Sequence, residues 1–311
     1  MSNLSVIIVS WNAYHHLRNC LASIRETGGS LVREVIVVDN ASTDGSPDMV
    51  AERFPEATLI RLGENLGFAR ANNLGLKHAS GELLALVNSD VVVHEDCLQR
   101  LAAFLKGRKD VGLVGPKILG QDGRLQRTCR RLPTLWNTTC RALALDNVLF
   151  RWPLFSGREM RHWNHENQAE VEVLSGCFWM ARREAVHAVG NLDERFFFYA
   201  EDVDWCKRFW DGGWKLVFVP EATATHAGGG SSSNAPLRYS IELLRANLAY
   251  WRKHHGFVGQ CAYRLLAIAH HGLRLVPRIF AEAGGSTARQ GNGKLREHAV
   301  CMRWLLTGRG V

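Results

Sequence analysis

Asp39, Asp90, Asp202 and His226 each stand beside a short apolar run, in segments otherwise rich in small polar residues. An acid at the mouth of a buried strand, as Asp39 is after Glu34-Val35-Ile36-Val37-Val38, can accept a hydrogen bond from the imide N–H of uracil or thymine. Asp90 follows Leu83-Leu84-Ala85-Leu86-Val87 and Asn88-Ser89, and a hard carboxylate oxygen there suits Mg²⁺ or Mn²⁺ bridging two phosphates. Such a metal would neutralise charge on a departing diphosphate. Glu201, Asp202 and Asp204 come after Phe196-Phe197-Phe198-Tyr199-Ala200. Aromatic surroundings desolvate a carboxylate and raise its proton affinity, which suits a general base acting on a sugar hydroxyl. His226, just before Ala227-Gly228-Gly229-Gly230-Ser231, can complete a metal site while backbone N–H groups approach phosphate.

Taken singly, each of these has a plainer reading. Asp39 is also an ordinary turn or N-cap residue before Ser42 and Asp44, and Asn88-Ser89-Asp90 is a good helix-capping sequence. Acids at a helix start need only the macrodipole, and a lone His is usually structural.

The elements that must position these groups read as α/β. Residues 4–9 and 34–38 are short β-branched runs of the kind buried on both faces of a parallel sheet. Between them, Leu17, Leu21 and Ile24 fall on one face of a helix over 14–26. The pattern repeats as strand 57–62, helix 68–79, strand 82–87 and helix 95–106, a right-handed βαβ series. Ligands of such sheets sit beyond the carboxyl ends of the strands. There the sequence puts Ser10-Trp11-Asn12, Asp39 to Gly45 and Asn88-Ser89-Asp90. Further on, strands are expected near 112–119 and 171–176, a helix at 200–211 and a strand at 215–219. The Trp-, Arg- and His-rich stretch between 119 and 171 fits a loop over the site. Gly228 to Ser233 reads as flexible, and the domain boundary is placed near 235.

The formal charge of +8 is unevenly spread: residues 236–311 hold 12 Lys/Arg and 3 Asp/Glu, or +9, leaving −1 for the rest. A basic tail seeks nucleic acid or an anionic lipid surface. The eight cysteines are scattered without C-x-x-C or zinc spacing, so neither a disulfide framework nor a zinc site is implied, and a reducing cytoplasm is the simplest home. The N-terminus lacks signal-peptide features, and no apolar stretch reaches about 18 residues.

In order, these segments resemble the family 2 glycosyltransferases with a GT-A fold, especially their rhamnosyltransferase-like branch. The carriers are Val6-Ile7-Ile8-Val9-Ser10-Trp11-Asn12, Val37 to Gly45, Asn65-Leu66-Gly67-Phe68-Ala69-Arg70-Ala71-Asn72-Asn73, Asn88-Ser89-Asp90, Glu201 to Asp204, and His226. The resemblance covers residues 4–235. It implies a GT-A domain over 1–235, with a mainly parallel central sheet, and a basic helical region over 236–311. By it, Asp39 holds the pyrimidine, with Ser10, Asn12, Asn65, Gly67, Arg70, Asn73 and Ser89 lining the donor pocket. Asp90 and His226 bind Mg²⁺ or Mn²⁺, Asp202 is the catalytic base, and Gly176, Trp179 and Glu201 shape the acceptor side. One departure is Asn88, where the family's D-x-D motif has its first Asp; metal affinity then depends on the donor's own diphosphate.

The implied activity is inverting transfer of a sugar, foremost L-rhamnose from dTDP-L-rhamnose, then UDP-linked and last GDP-linked sugars, to a glycan or polyprenyl-linked acceptor in cell-surface glycan synthesis. The protein is expected in the cytoplasm, peripheral on the inner face of the plasma membrane. In the tail, Leu237, Ile241, Leu244, Leu248 and Trp251 share a face that packs on the catalytic domain. Over 257–280, Arg264, His271, Arg274 and Arg278 lie opposite Leu266, Ala269, Leu273 and Phe280, an amphipathic helix for an anionic membrane or a homodimer contact, with Pro277 ending or kinking it. A nucleotidyltransferase would show a Gly-rich signature near the N-terminus, where residues 1–30 have only Gly28-Gly29. A catalytically silent scaffold is the rival of another class, and the intact acidic set argues against it. Nucleic acid is not an expected partner, because aromatic and basic residues are not interleaved.

Overall fold

The structure is a computed structural model describing residues 3–228, 236–283 and 289–308. The glycine-serine stretch 229–233 and the side chains of Pro277, Arg278 and Phe280 lie outside the described residues. The chain forms two compact units: Met1–Arg130 with His165–Gly228, and Arg131–Asn164 with Gly229–Val311.

In chain order the first unit begins β1 (Leu4–Ser10), α1 (Tyr14–Gly28), β2 (Val32–Asp39), α2 (Ser46–Arg53), β3 (Thr58–Arg61), α3 (Gly67–His78) and β4 (Leu83–Asn88). It continues with β5 (Val91–Val93), α4 (Cys97–Gly107), β6 (Val111–Leu119), β7 (Leu125–Gln126) and β8 (Cys129–Arg130). The chain then enters the second unit through α5 (Leu135–Ala142) and α6 (Leu145–Val148). It returns as β9 (Ala169–Glu170), β10 (Val173–Leu174), β11 (Phe178–Arg182), α7 (Arg183–Val189), α8 (Glu201–Asp211) and β12 (Lys215–His226). Finally α9 (Pro236–Ala283) and α10 (Arg289–Thr307) complete the second unit.

The main sheet runs β3-β2-β1-β4-β11-β6-β12-β5, with β7 on β6 and β9 on β12. β1 to β4 are parallel neighbours, β12 is parallel to β6, and β11 lies antiparallel between β4 and β6. Six strands therefore point the same way, and their carboxyl ends share one edge. Register sets the level of that edge: Ser10 pairs with Asp39, and Val9 with Asn88. The antiparallel pairing of β12 with β5 puts His226 opposite Val91, next to Asp90.

Burial explains the frame. Leu4, Val6, Ile7 and Ile8 of β1 are fully buried, covered on both sheet faces. α1 turns Leu17, Leu21 and Ile24 into the same core, as their spacing predicts, each burial contributing about 1.5–3 kcal/mol.

Three expectations change. The strand expected at 171–176 is a two-residue β10 paired with β8 outside the main sheet, and the strand beside β4 is β11, five residues later. β12 does not stop at 219: it crosses Pro220 through a register shift between Val219 and Thr223 and runs to His226. Residues 131–164, expected as a loop over the site, belong with the C-terminal helices, so the units do not divide simply at 235.

Within the second unit, α9 is broken at Gly256, whose φ of 68° and ψ of −165° are not helical. Ile241, Leu244 and Leu248 bury against Ala267 and against Cys301, Trp304 and Leu305 of α10. The basic face expected over 257–280 is partly internal: His271 is buried with Nδ1 2.9 Å from His298 Nδ1, and Arg274 donates to the carbonyls of Arg141 and Ala142. Arg264 of that face stays exposed, as do Phe257, Val258, Leu265 and Leu273. Among the described residues no helix is long and apolar enough to cross a membrane, and all eight cysteines are free.

Candidate active site

At the sheet edge, Ser10 and Asp39 are buried, and neither Ser10 Oγ nor Asp39 Oδ1 has a hydrogen-bond partner. The other oxygen, Asp39 Oδ2, accepts from Ser42 N at 3.0 Å. A buried polar atom left unmatched costs about 1–3 kcal/mol, so two side by side at strand ends are a place for a ligand's polar groups. Asn12, with φ of 49°, ties the two exits together: its N donates to Ser42 Oγ and its Oδ1 accepts from Thr43 N at 2.8 Å.

Asn40 and Asn65 lock the β2 exit to the start of α3. Asn40 Nδ2 donates to Asn65 Oδ1, Leu66 N donates to Asn40 Oδ1, and Gly67 N donates to Asn65 Oδ1. Gly67 sits at φ +81°, and a Cβ there would lie 2.5 Å from the carbonyl oxygen of Phe197. Phe68 N donates to that carbonyl at 3.0 Å. Arg70 pairs with Glu194 at 3.1 Å, and Asn73 donates to Leu192 O and Glu194 while accepting from Leu192 N. These α3 residues, expected along the donor pocket, thus hold the 192–197 loop.

Asp90 and His226 meet as the sequence expects. His226 Nε2 lies 3.2 Å from Asp90 Oδ1, while Gly228 N donates to Asp90 Oδ2 and Ala227 N to Asp90 O. On the far side of the ring, His226 Nδ1 is 2.9 Å from Gln126 Oε1, and Gln126 Nε2 donates to the His226 carbonyl. With Nδ1–H given to Gln126, Nε2 of a neutral ring turns its lone pair on the carboxylate. Two acceptors at that distance need a cation between them, either a second ring proton or a metal ion. Burial would raise the Asp90 carboxyl, but the hydrogen bond and charge of His226 outweigh it and hold it below its ordinary value.

The donor set fits a divalent cation, since adjacent ligands on an octahedral ion with bonds of about 2.1 Å sit about 3 Å apart. Cys20 and Cys177, the thiols that feel the charge of Asp90, are raised by burial first and stay protonated, leaving oxygen and nitrogen donors that suit Mg²⁺ or Mn²⁺. Among the described residues no group of three or more His, Cys, Asp or Glu side chains forms a metal cage. Ser89 is half-buried in the turn before Asp90.

The acids of α8 divide by environment. Tyr199 and Ala200, at φ of 75° and 65°, turn the chain sharply into the helix. Asp202 keeps 14% of its side chain exposed, accepts from Val203 N, and has Arg130 Nη1 3.9 Å away. Glu201 is buried with Oε2 unpartnered; burial first, then the charges of Asp202 and Asp204, lift its carboxyl well above the ordinary range. The acid that desolvation raises is therefore Glu201. Asp204 is fully buried in a 2.9 Å ion pair with Arg208, which also donates to the carbonyls of Val189, Gly190 and Asn191. Asp204 thus fastens the fold.

Trp179 is fully buried, donates to Leu174 O and packs 5.2 Å from Trp205. It shapes the site from beneath and presents no surface to a sugar. Gly176 lies over it: a Cβ there would stand 3.2 Å from the Trp179 ring and 3.6 Å from Asp202 Cβ, so a larger residue would crowd the carboxylate.

The sheet edge thus carries an acid at the end of β2 and an Asp–His pair at the ends of β4 and β12, and α8 adds a partly exposed Asp. Residues 5–190 match the model for Glycosyl transferase family 2. The chain belongs to that family. This glycosyltransferase is 30% identical over 249 residues to N-acetylglucosaminyl-diphospho-decaprenol L-rhamnosyltransferase of Mycobacterium tuberculosis, covering 75% of this chain and 78% of the relative. It is 25% identical over 237 residues to dTDP-rhamnosyl transferase RfbF of Shigella flexneri, covering 74% and 71%. It is placed with the rhamnosyltransferase-like branch.

Among solved structures, the mannosyltransferase PcManGT from Pyrobaculum calidifontis, in complex with GDP-Man and Mn²⁺, superposes with a TM-score of 0.58 at 20% identity, over 97% of this chain and 87% of that one. GalNAc-T7 with UDP, GalNAc and Mn²⁺ gives 0.56 at 16%, over 78% and 48%. These likenesses bear on the fold, which is GT-A as the resemblance implied. Sequence reading missed two residues beside these groups, Gln126 and Arg130. Neither carries a local signal, because each matters only through a partner distant along the chain.

Proposed function

We propose that this family 2 glycosyltransferase moves L-rhamnose from dTDP-L-rhamnose to a hydroxyl of a polyprenyl-linked or growing glycan acceptor in cell-surface glycan synthesis, with inversion at the anomeric carbon. The observation that carries the reading is the pair of unmatched buried atoms, Ser10 Oγ and Asp39 Oδ1, on the same sheet edge as Asp90 and His226. The names of the rhamnosyl-transferring relatives favour the sugar and the lipid-linked acceptor.

In this mechanism Asp39 accepts the imide N–H of thymine, and Ser10 and Asn12 bound the base pocket. Asp90 and His226 would hold the divalent cation, Mg²⁺ or Mn²⁺, whose charge offsets the one developing on the diphosphate. Gln126 keeps the His226 ring turned with Nε2 toward that position. Asp202 takes the acceptor proton as the hydroxyl attacks from the face opposite the diphosphate, with Arg130 Nη1 3.9 Å from its carboxylate. Next to it in the chain, Glu201 has its carboxyl raised by burial first and then by the charge of Asp202. The basic second unit holds the enzyme at the inner face of the plasma membrane, where a polyprenyl acceptor resides.

The test is calorimetric titration with dTDP, UDP and GDP, each with Mn²⁺, with Mg²⁺ and with chelator, in the wild type and in Asp39→Ala and Asp90→Ala. Metal-dependent binding of dTDP ahead of UDP, lost in both variants, is the expected result. Tighter binding of GDP would overturn the donor, and no binding of any nucleotide would favour a silent scaffold.

A further inference from the structure

Dividing the chain by its packing changes the charge balance. The second unit holds 17 Lys/Arg against 5 Asp/Glu, a net charge of +12, which leaves −4 on the first. Residues 131–164 supply part of this with five arginines: Arg131, Arg141, Arg151, Arg158 and Arg161. The same segment exposes Leu135, Trp136, Leu143, Val148, Trp152 and Leu154, with Val148 at 76% and Trp152 at 67%.

These side chains are tied together locally. Trp136 Nε1 donates to Leu154 O at 2.9 Å, and its ring lies 5.7 Å from that of Phe155, joining the start of α5 to the turn at 152–155. Phe155 N donates to Trp152 O within that turn, and Arg131 Nη1 donates to Pro153 O at 2.8 Å, so a cation rests on the same turn.

We propose that residues 135–154 form an anchor seated in the headgroup layer of an anionic bilayer, Trp152 and Val148 dipping toward the acyl chains while the neighbouring arginines meet lipid phosphates. The inference rests on the membrane reading above and deepens it by naming the contact. Tryptophan is suited to this depth, with an apolar ring and a polar N–H, and each nearby cation adds to attraction for an anionic leaflet. A second copy meeting this face across a two-fold axis would bring the patch that carries Arg131 and Arg151 against an identical cationic patch, whereas Arg141 is paired with Asp146. Nucleic acid would use stacking rings, yet four of the six exposed apolar residues are Leu or Val, which gain by leaving water and offer a base nothing.

The experiment is co-sedimentation of the full chain with phosphatidylcholine vesicles, with and without phosphatidylglycerol, at physiological salt. Val148→Asn/Trp152→Ser is compared with Leu265→Asn/Leu273→Asn on α9. Wild type should bind only the anionic vesicles, the first variant roughly tenfold more weakly, and the second within about twofold. dTDP binding by calorimetry, unchanged in both variants, certifies that each is folded. Equal binding by wild type and the first variant, or weakening only in the α9 variant, would overturn the anchor and leave the membrane reading standing. Failure of the wild type to bind anionic vesicles would overturn both. Self-association of the wild type that the first variant abolishes would assign the face to a second copy and overturn the proposal.

Discussion

Twelve of the fifteen large apolar side chains exposed among the described residues belong to the second unit, which is little more than a third of the chain. The first unit exposes Trp11, Val92 and Phe197, and two of these, Trp11 after β1 and Phe197 against Gly67, stand beside the candidate site. Charge divides the same way, −4 against +12. The first unit covers its apolar surface with a sheet and flanking helices, and at the sheet edge it leaves Ser10 Oγ and Asp39 Oδ1 unmatched, where a small ligand would match them. The second leaves carbon and cations outward together, which suits an extended partner more than a small one.

The sharpest way to break this comparison is to damage the first unit's chemistry by one atom. Asp202→Asn should cut kcat by about 10²–10⁴-fold with dTDP affinity unchanged; a variant turning over within a few fold of wild type would move the base elsewhere. Gln126→Ala comes next. Freed from its Nδ1 partner, His226 should hold the cation more weakly, lowering Mn²⁺-dependent dTDP binding by about 10–100-fold while binding in chelator is untouched. Equal weakening in both conditions would make Gln126 a fold residue only.

Glu201→Gln should have the smallest effect, and its sign follows from linkage. A carboxyl raised on folding takes up a proton, so its contribution is full below the unfolded-state value of 4.5 and is lost as pH rises toward the folded-state value. Gln removes that titration. The variant should therefore melt with the wild type at pH 4 and gain on it steadily toward pH 8, with turnover nearly kept. A difference in Tm that stays flat across this range would show Glu201 ionised in the native protein.

The parallel half of the sheet was legible because β1, β2 and β4 are unbroken apolar runs, and buried parallel strands look like little else. β7, β8 and β9 were not, being two residues each, too short for any period to register, and β10 was read as longer than it is. Pro220 made β12 look finished at 219, since the register shift that lets a strand pass a proline is a tertiary event. Asp39 and Asp90 stand where the ends of β2 and β4 are visible in sequence, whereas His226 closes the stretch of β12 that Pro220 hid. The raised carboxyl of Glu201 is not visible in the sequence, because it comes first from burial, which only the folded chain supplies. The membership of 131–164 with the C-terminal helices was equally hidden, as contacts such as Arg274 to Arg141 join residues more than a hundred positions apart.

The fastening of residues 192–197 to α3 has a kinetic meaning. Arg70 with Glu194, Asn73 with Leu192 and Phe68 with Phe197 fix the stretch leading into Asp202 before any acceptor arrives. The conformational entropy of ordering that stretch is thus met during folding and not at each encounter, so the carboxylate waits preorganised. Because α3 also begins at the locked pair Asn40 and Asn65, one helix holds both the exit of β2 and the stretch leading into Asp202, so a push at either end is carried to the other.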